Sequence, residues 1–307
     1  MERVKALKDL LTAVKGSNQS LAPGKKKVVA LAAAEDAHVL ESACQARALG
    51  IADFVLFGDV CAIREICARQ GADPADFEIV AASSHDEAAA KAVTLVAQGG
   101  ADSIMKGLLE TSTIMKAVLD KEKGICTSRR LSHMGMFSLE AYHKPLFVTD
   151  AAVNIAPDLK RKKEIIENAV LAVRSLGITN PKVALICAKE KVDPMMPVTL
   201  EYEELVRMNR ERILAGCVVD GPLAFDGAVS KKAAESKGIT SPVAGDADII
   251  LCPNIEAGNV LYKSLTIFAS AQVGGVLLGA KVPIILTSRS DSSHNKLLSI
   301  ALGAAMN

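Results

Sequence analysis

The stretch Val282-Pro-Ile-Ile-Leu-Thr-Ser-Arg-Ser-Asp-Ser-Ser-His-Asn-Lys-Leu-Leu-Ser-Ile-Ala-Leu302 decides how this chain is read. Its first five residues are apolar, rich in β-branched side chains and bounded by Lys281 and a polar segment, which predicts a short buried strand. Leu297, Leu298, Ile300, Ala301 and Leu302 then recur at helical spacing. A strand, a polar loop and a helix N-terminus therefore follow one another in about 20 residues. Such a junction offers backbone N–H groups and the positive end of a helix dipole to an anion. Ser288 and Arg289 add a hydroxyl and a guanidinium, groups suited to phosphate or to a developing oxyanion. An ordinary βα turn capped by Ser292 or Ser293 explains the same residues, and this segment alone leaves both readings open.

Outward from this junction, apolar runs of strand length alternate with helical patterns. Strands are predicted at Lys27–Ala33, Phe54–Phe57, Phe77–Ala81, Ser103–Lys106, Leu146–Thr149, Lys182–Cys187, Cys217–Val219, Asp248–Cys252 and Val282–Leu286. The clearest helix is Asp158–Leu176, where Ile165, Ile166, Ala169, Val170 and Val173 oppose Lys160, Arg161, Lys163, Glu164 and Glu167. Pro157 and Asp158 start it and Gly177 stops it. This alternation predicts an α/β fold with a mainly parallel sheet. The longest uncharged stretch, Ser264–Ala280, is short and polar for a membrane span, and reads as a buried helix running into a turn. No low-complexity linker or repeat is visible, and the expected domain break lies near Lys121–Ile125.

Composition narrows the function classes. The 307 residues suffice for two domains. Half are hydrophobic but only 3% aromatic, so the core must be built from small aliphatic side chains. With 36 basic and 35 acidic residues, no long-range field attracts nucleic acid or an anionic membrane. Seven scattered cysteines without a CxxC pair read as reduced thiols of a cytoplasmic protein, and the N-terminal residues lack the apolar core of a signal peptide.

Several familiar motifs are missing from the sequence. After Lys27–Ala33 comes Ala-Glu-Asp-Ala-His38 rather than GxGxxG, and in Met105-Lys106-Gly107 the lysine precedes its glycine, unlike a Walker loop. There is no GxSxG elbow, and the five histidines are isolated, so no metal site is expected. Asp246-Ala-Asp248 reads as a charge pair at a strand entry in preference to a Mg²⁺ ligand set. Three polar clusters remain, each at a strand-to-helix junction. Thr111, Ser112 and Thr113 are expected to cap a helix or bind an anion, with Lys116 one turn in; read alone, capping suits them better. Asn254 and Asn259 flank Gly258 after Asp248–Cys252, and Ser288-Arg289 completes the set. Polar strand ends of this kind are what a ligand crevice in an open α/β sheet requires.

The clusters sit within a longer ordered series: Asp220-Gly-Pro-Leu-Ala-Phe-Asp226, Ser241-Pro-Val-Ala-Gly245, Asp248-Ile-Ile-Leu251, Pro253-Asn-Ile-Glu-Ala-Gly-Asn259, Tyr262-Lys263 and Gly275-Val-Leu-Leu-Gly279, ahead of Ser288-Arg289. In this order and spacing the chain resembles the phosphate acetyl/butyryltransferase family over roughly residues 25–305. Weaker support comes from Ala34–Leu40 and Gly50–Asp59. The segment from Thr287 to Leu297 is most similar to the butyryl branch.

The resemblance implies an α/β, two-domain isocitrate/isopropylmalate dehydrogenase-like fold with a cleft between domains. It places one domain at 1–125 plus 281–307 and the other at 126–280, and implies a homodimer or higher homo-oligomer built through the second. The implied reaction is acyl-CoA + phosphate = acyl phosphate + CoA in a ternary complex. The CoA thioester is then a substrate, with no metal and no permanently bound cofactor. By position, Ser288 matches the active-site serine, Arg289 the phosphate-binding arginine, and Lys116 a family arginine whose fork it cannot reproduce. Acetyltransferases carry an aspartate where this chain has Asn295, which leaves Asp291 or His294 as substitute proton acceptors, or none. Three alternatives stay open: acetyl transfer, an NAD(P)- and metal-dependent decarboxylating dehydrogenase of the same fold, and a non-catalytic CoA or acyl-phosphate binding protein.

Overall fold

The computed structural model describes residues 7–19, 26–288 and 291–306. In chain order these form α1 (Leu7–Gln19), β1 (Lys27–Ala32), α2 (Ala37–Ala48), β2 (Ala52–Gly58), α3 (Val60–Arg69), β3 (Glu78–Ala81), α4 (His85–Ala97), β4 (Ser103–Lys106) and α5 (Thr111–Val118). Then follow β5 (Ser132–Ser138), β6 (Leu146–Thr149), α6 (Leu159–Ser175), β7 (Lys182–Ile186), α7 (Val198–Arg210), β8 (Val218–Leu223), α8 (Phe225–Val229) and α9 (Lys231–Ser236). The series closes with β9 (Ile249–Leu251), α10 (Ile255–Ile267), β10 (Gln272–Leu278), β11 (Ile284–Ile285) and α11 (Ser293–Ala305). Helix starts are fixed chemically. The side chains of Asp36, Asp59, Ser84, Asp158, Asn254 and Ser292 each accept a backbone N–H of the helix they precede.

Two compact units divide the chain. One comprises Lys8–Arg129 and Gly274–Asn307; the other is built on Arg130–Val273. In the first the strand order is β3-β2-β1-β4-β11-β10. All neighbouring pairs are parallel except β10 against β11, where Val276 faces Ile285. Parallel neighbours need crossover helices, which α2, α3 and α4 supply. Residues 103–106 of β4 are buried throughout, as a central parallel strand requires.

In the unit built on Arg130–Val273 the order is β5-β6-β9-β7-β8, with β5 antiparallel to β6 and the rest parallel. One part of its core is mostly aliphatic: Phe137, Leu146, Val148, Ala184, Ile250 and Val273 pack together, with the rings of Phe137 and Tyr262 edge to face at 5.0 Å.

Each of the nine predicted strands is present, with ends displaced by a few residues. Two strands lack a sequence expectation. β5, Ser-His-Met-Gly-Met-Phe-Ser, has no β-branched residue; pairing with β6 and burial on both faces hold it in place. β10 corrects the expectation for Ser264–Ala280. The helix ends at Ile267 and Gln272–Leu278 is a strand. Gly274 and Gly275 break helical propensity there, and a Cβ at Gly274 would lie 3.0 Å from the Leu298 carbonyl oxygen of α11.

Candidate functional site

Parallel strands end on one edge, so the loops after β1, β4 and β11 leave the sheet side by side: Ala32 pairs with Lys106 and Ile285 with Met105. The β4 loop lies against the β1 loop, with Gly107 N–H donating to the Ala32 carbonyl and Leu108 N–H to that of Ala33. Only glycine fits at 107, because a Cβ would sit 2.0 Å from the Ala33 oxygen. The Lys106 side chain stays buried at this edge, donating to the carbonyls of Gly107 and Leu109 at 3.2 and 2.8 Å.

The β11 loop is closed by its own hydrogen bonds. Ser288 N–H donates to Asp291 Oδ2 at 2.6 Å, and Asp291 N–H donates back to the Ser288 carbonyl at 3.1 Å. Ser292 caps α11 through its hydroxyl, which accepts from Asn295 N–H. Lys296, 3% exposed, reaches back from the first turn of α11 and donates to the carbonyls of Ser288 at 3.2 Å and Asp291 at 2.6 Å. Ser288 is half-buried on the half-buried Asp291, while His294 is exposed at the helix start. Asn295 is half-buried, and its carbonyl accepts from Ser299 Oγ at 2.9 Å. Arg289 lies outside the described residues.

Thr111, Ser112 and Thr113 form the first turn of α5 and do not cap it: the N-cap is Glu110, whose side chain makes no capping bond. The capping expectation fails because the helix begins one residue early, leaving Thr111 and Ser112 exposed as helical side chains. Lys116 is exposed in the last turn.

Asn254 and Asn259 belong to the other unit. Asn254 caps α10 by accepting Ala257 N–H at 2.9 Å, and Asn259 donates to the Ala151 carbonyl at 3.4 Å. Asn254 also lines a cavity of about 570 Å³ with Pro157, Lys162, Cys187, Met196 and Glu201. Within it Lys162 is 3% exposed, bonded to the Pro157 carbonyl and, at 2.6 Å, to Glu201 Oε2. Beside α10, the buried Asp150 carboxylate accepts from the backbone of His133, Ala152 and Val153 and from Asn154 Nδ2. Asp246 and Asp248 are strand-entry charges: Lys144 pairs with both, at 3.0 and 2.8 Å, and Lys182 reaches Asp246 at 2.7 Å.

Residues 62–304 match the family described as Phosphate acetyl/butaryl transferase. The chain is 49% identical to the phosphate butyryltransferase of Clostridium acetobutylicum over 91% of this chain and 92% of that protein. The chain belongs to this family. Among solved structures, a branched-chain phosphotransacylase from Enterococcus faecalis V583 superposes with a TM-score of 0.81 at 34% identity, covering 91% of this chain and 98% of that one. A 4-hydroxythreonine-4-phosphate dehydrogenase from Klebsiella pneumoniae shares the fold alone, with a TM-score of 0.58 at 13% identity over 92% and 99% of the two chains.

In this member of the phosphate acyltransferase family, the candidates therefore fall into two groups. Ser288, Asp291 and Asn295 share one hydrogen-bonded loop and helix start, and the loop preceding Thr111–Lys116 exits an adjacent strand. The asparagine pair sits on the second unit. Sequence reading missed Lys106, Lys162 and Lys296, all buried. A signal for Lys296 existed: from Leu297 to Ala305 the helix is apolar on every face apart from Ser299, the mark of a buried helix. In the unit of the asparagine pair, Cys252 is a poor nucleophile: burial, with the Asp150 charge adding, pushes its thiol up to about 12.

Proposed function

We propose that this chain transfers a short acyl group, butyryl foremost, between coenzyme A and inorganic phosphate. The observation that carries the reading is the 49% identity with a phosphate butyryltransferase over nearly the full length of both chains. The family match spans residues 62–304 and so includes the Ser288 loop.

In the proposed reaction a phosphate oxygen attacks the thioester carbonyl, forming a C–O bond and a tetrahedral oxyanion. Collapse of that oxyanion breaks the C–S bond and the electron pair leaves on sulfur. Ser288 donates its hydroxyl to the oxyanion, worth about 3 kcal/mol when aligned. Arg289 and the N-terminus of α11 hold phosphate. Asp291 braces the loop through Ser288 N–H, so its proposed part is positional. A thiol with an ordinary pKa of about 8.5 leaves with modest assistance, which suits a site carrying Asn295. The CoA thioester is a substrate and no resident cofactor takes part. His294 is placed in solvent contact at the helix start. Lys116 and the hydroxyls of Thr111–Thr113 are proposed as secondary contacts for substrate phosphates; Asn254 and Asn259, on the other unit, are separately proposed to bind substrate.

The test is release of free CoA thiol from butyryl-CoA, followed with and without inorganic phosphate. Phosphate-dependent release is expected, and release indifferent to phosphate ends the proposal. Comparing kcat/KM for acetyl-, butyryl- and branched acyl-CoA then ranks the acyl groups.

We further propose a cytoplasmic homo-oligomer built through α10. Along that helix Val260 and Ile267 are 66% and 67% exposed and the following Phe268 is 88% exposed, an apolar stripe at helical spacing.

A further inference from the structure

We infer that Lys296 is a positioning residue that shapes and charges the phosphate site from beneath, without touching substrate. This deepens the transferase reading and rests on it for the identity of the anion.

The position is chemically anomalous. Residues 296–305 of α11 are buried, and the neighbours of Lys296 along the helix, Leu297, Leu298 and Ile300, are aliphatic. A buried ammonium instead forfeits its hydration, a cost that requires compensation. Among the described residues its partners are two main-chain carbonyls, of Ser288 and Asp291, and no carboxylate pairs with it. The Asp291 carboxylate accepts from Ser288 N–H. Neutral carbonyls satisfy its hydrogen bonds and leave its charge without a direct ion pair, the Asp291 carboxylate of the same loop being turned to Ser288 N–H.

Geometry gives the cation a second effect. Both acceptors belong to one loop, and Ser288 is the residue proposed to act on the oxyanion. In a trans peptide the carbonyl and the following N–H are antiparallel. Holding the Asp291 carbonyl on Lys296 therefore turns Ser292 N–H away from the ammonium, at the head of α11. The lysine thus holds the Ser288 carbonyl, orients a donor at the helix N-terminus and adds a fixed charge that favours an anion in front of it.

The experiment compares Lys296→Met, which removes the charge, with Lys296→Arg, which keeps it. Phosphate KM, butyryl-CoA KM and kcat are measured, together with the rise in Tm that phosphate produces. For Lys296→Met the phosphate KM is expected to rise about tenfold with a fall in kcat, while the butyryl-CoA KM stays within about twofold. The thermal shift by phosphate should shrink, and Lys296→Arg should restore both readouts. A folded Lys296→Met with the parent's phosphate KM overturns the inference, and so does an equal rise in both KM values, which signals general loosening. Should Lys296→Met fail to fold, Lys296→Gln is judged by the same criteria. The thermal shift needs no turnover. A parent stabilised by phosphate through Lys296 but releasing no CoA would end the transferase reading and keep this one.

Discussion

Ser288 is held by its backbone on both sides: its N–H on the Asp291 carboxylate and its carbonyl on Lys296 and Asp291 N–H. A backbone held in this way restricts where its hydroxyl can go before substrate arrives, a condition that favours a single donor to an oxyanion. Ser288→Ala is expected to lower kcat about 100-fold with little change in either KM. Steady-state kinetics on both substrates check this, and unchanged turnover would remove the serine from the reaction. At this scale the sequence singled out Ser288 but was silent on the lysine and aspartate that hold its backbone. A lysine next to two leucines reads as the polar edge of a helix, and only the buried run that follows it says otherwise. Hydroxyl clusters misled in the opposite direction: Thr111–Thr113 look like caps, but Glu110 already occupies the position that ends the preceding loop.

Elements were legible where a strand is a continuous aliphatic run and a helix carries a stripe, as in β1 and α6. They were illegible where pairing overrides propensity. β5 is made of residues that seldom prefer strands and persists because β6 satisfies its backbone. Junctions between elements impose stricter demands than their interiors. Gly107→Ala is expected to destabilise the unit by about 3 kcal/mol, since the Ala33 carbonyl must move from its contact with the β4 loop. Urea denaturation of the variant measures this, and a midpoint equal to the parent's would show that the loop yields freely.

Electrostatics at the strand entries set a further expectation. Burial opposes ionisation of Asp246, but hydrogen bonds from Lys182, Lys144 and His143 outweigh it and hold the carboxyl below the usual carboxylate range. The unfolded carboxyl protonates near its ordinary pKa of about 3.9, so the stabilisation is complete above that pH and lost as pH falls through the folded value. Asp246→Asn should therefore cost about 2 kcal/mol at pH 7, a cost that begins to shrink only below about pH 4 and vanishes only below the folded value, so that it is reduced but still present near pH 3. Thermal melts at the two pH values test the sign, and a pH-independent difference would argue for lost packing instead.

For the whole molecule, the α/β class followed from the alternation of runs, and the family from motif order along the chain. Neither depends on knowing which side chains touch. Oligomerisation does, and the exposed Val260, Ile267 and Phe268 give it a location to test. Phe268→Asp combined with Val260→Lys is expected to convert a dimer or larger species into monomer in light scattering coupled to size exclusion, with melting of the isolated chain little altered. Retention of the parent mass would place the interface elsewhere.

The strand order has a consequence for how this protein is made. β11 lies between β4 and β10, yet it is synthesised only after the whole of Arg130–Val273. Until then β4 has β1 on one side and an unsatisfied edge on the other, with apolar side chains waiting for α11. The Arg130–Val273 unit is continuous and can collapse on its own schedule, while its companion must wait for its last segment. Nascent chains arrested before residue 284 should therefore bind holdase chaperones, and Ser288, the serine proposed for the reaction, is made with the same segment that closes the sheet.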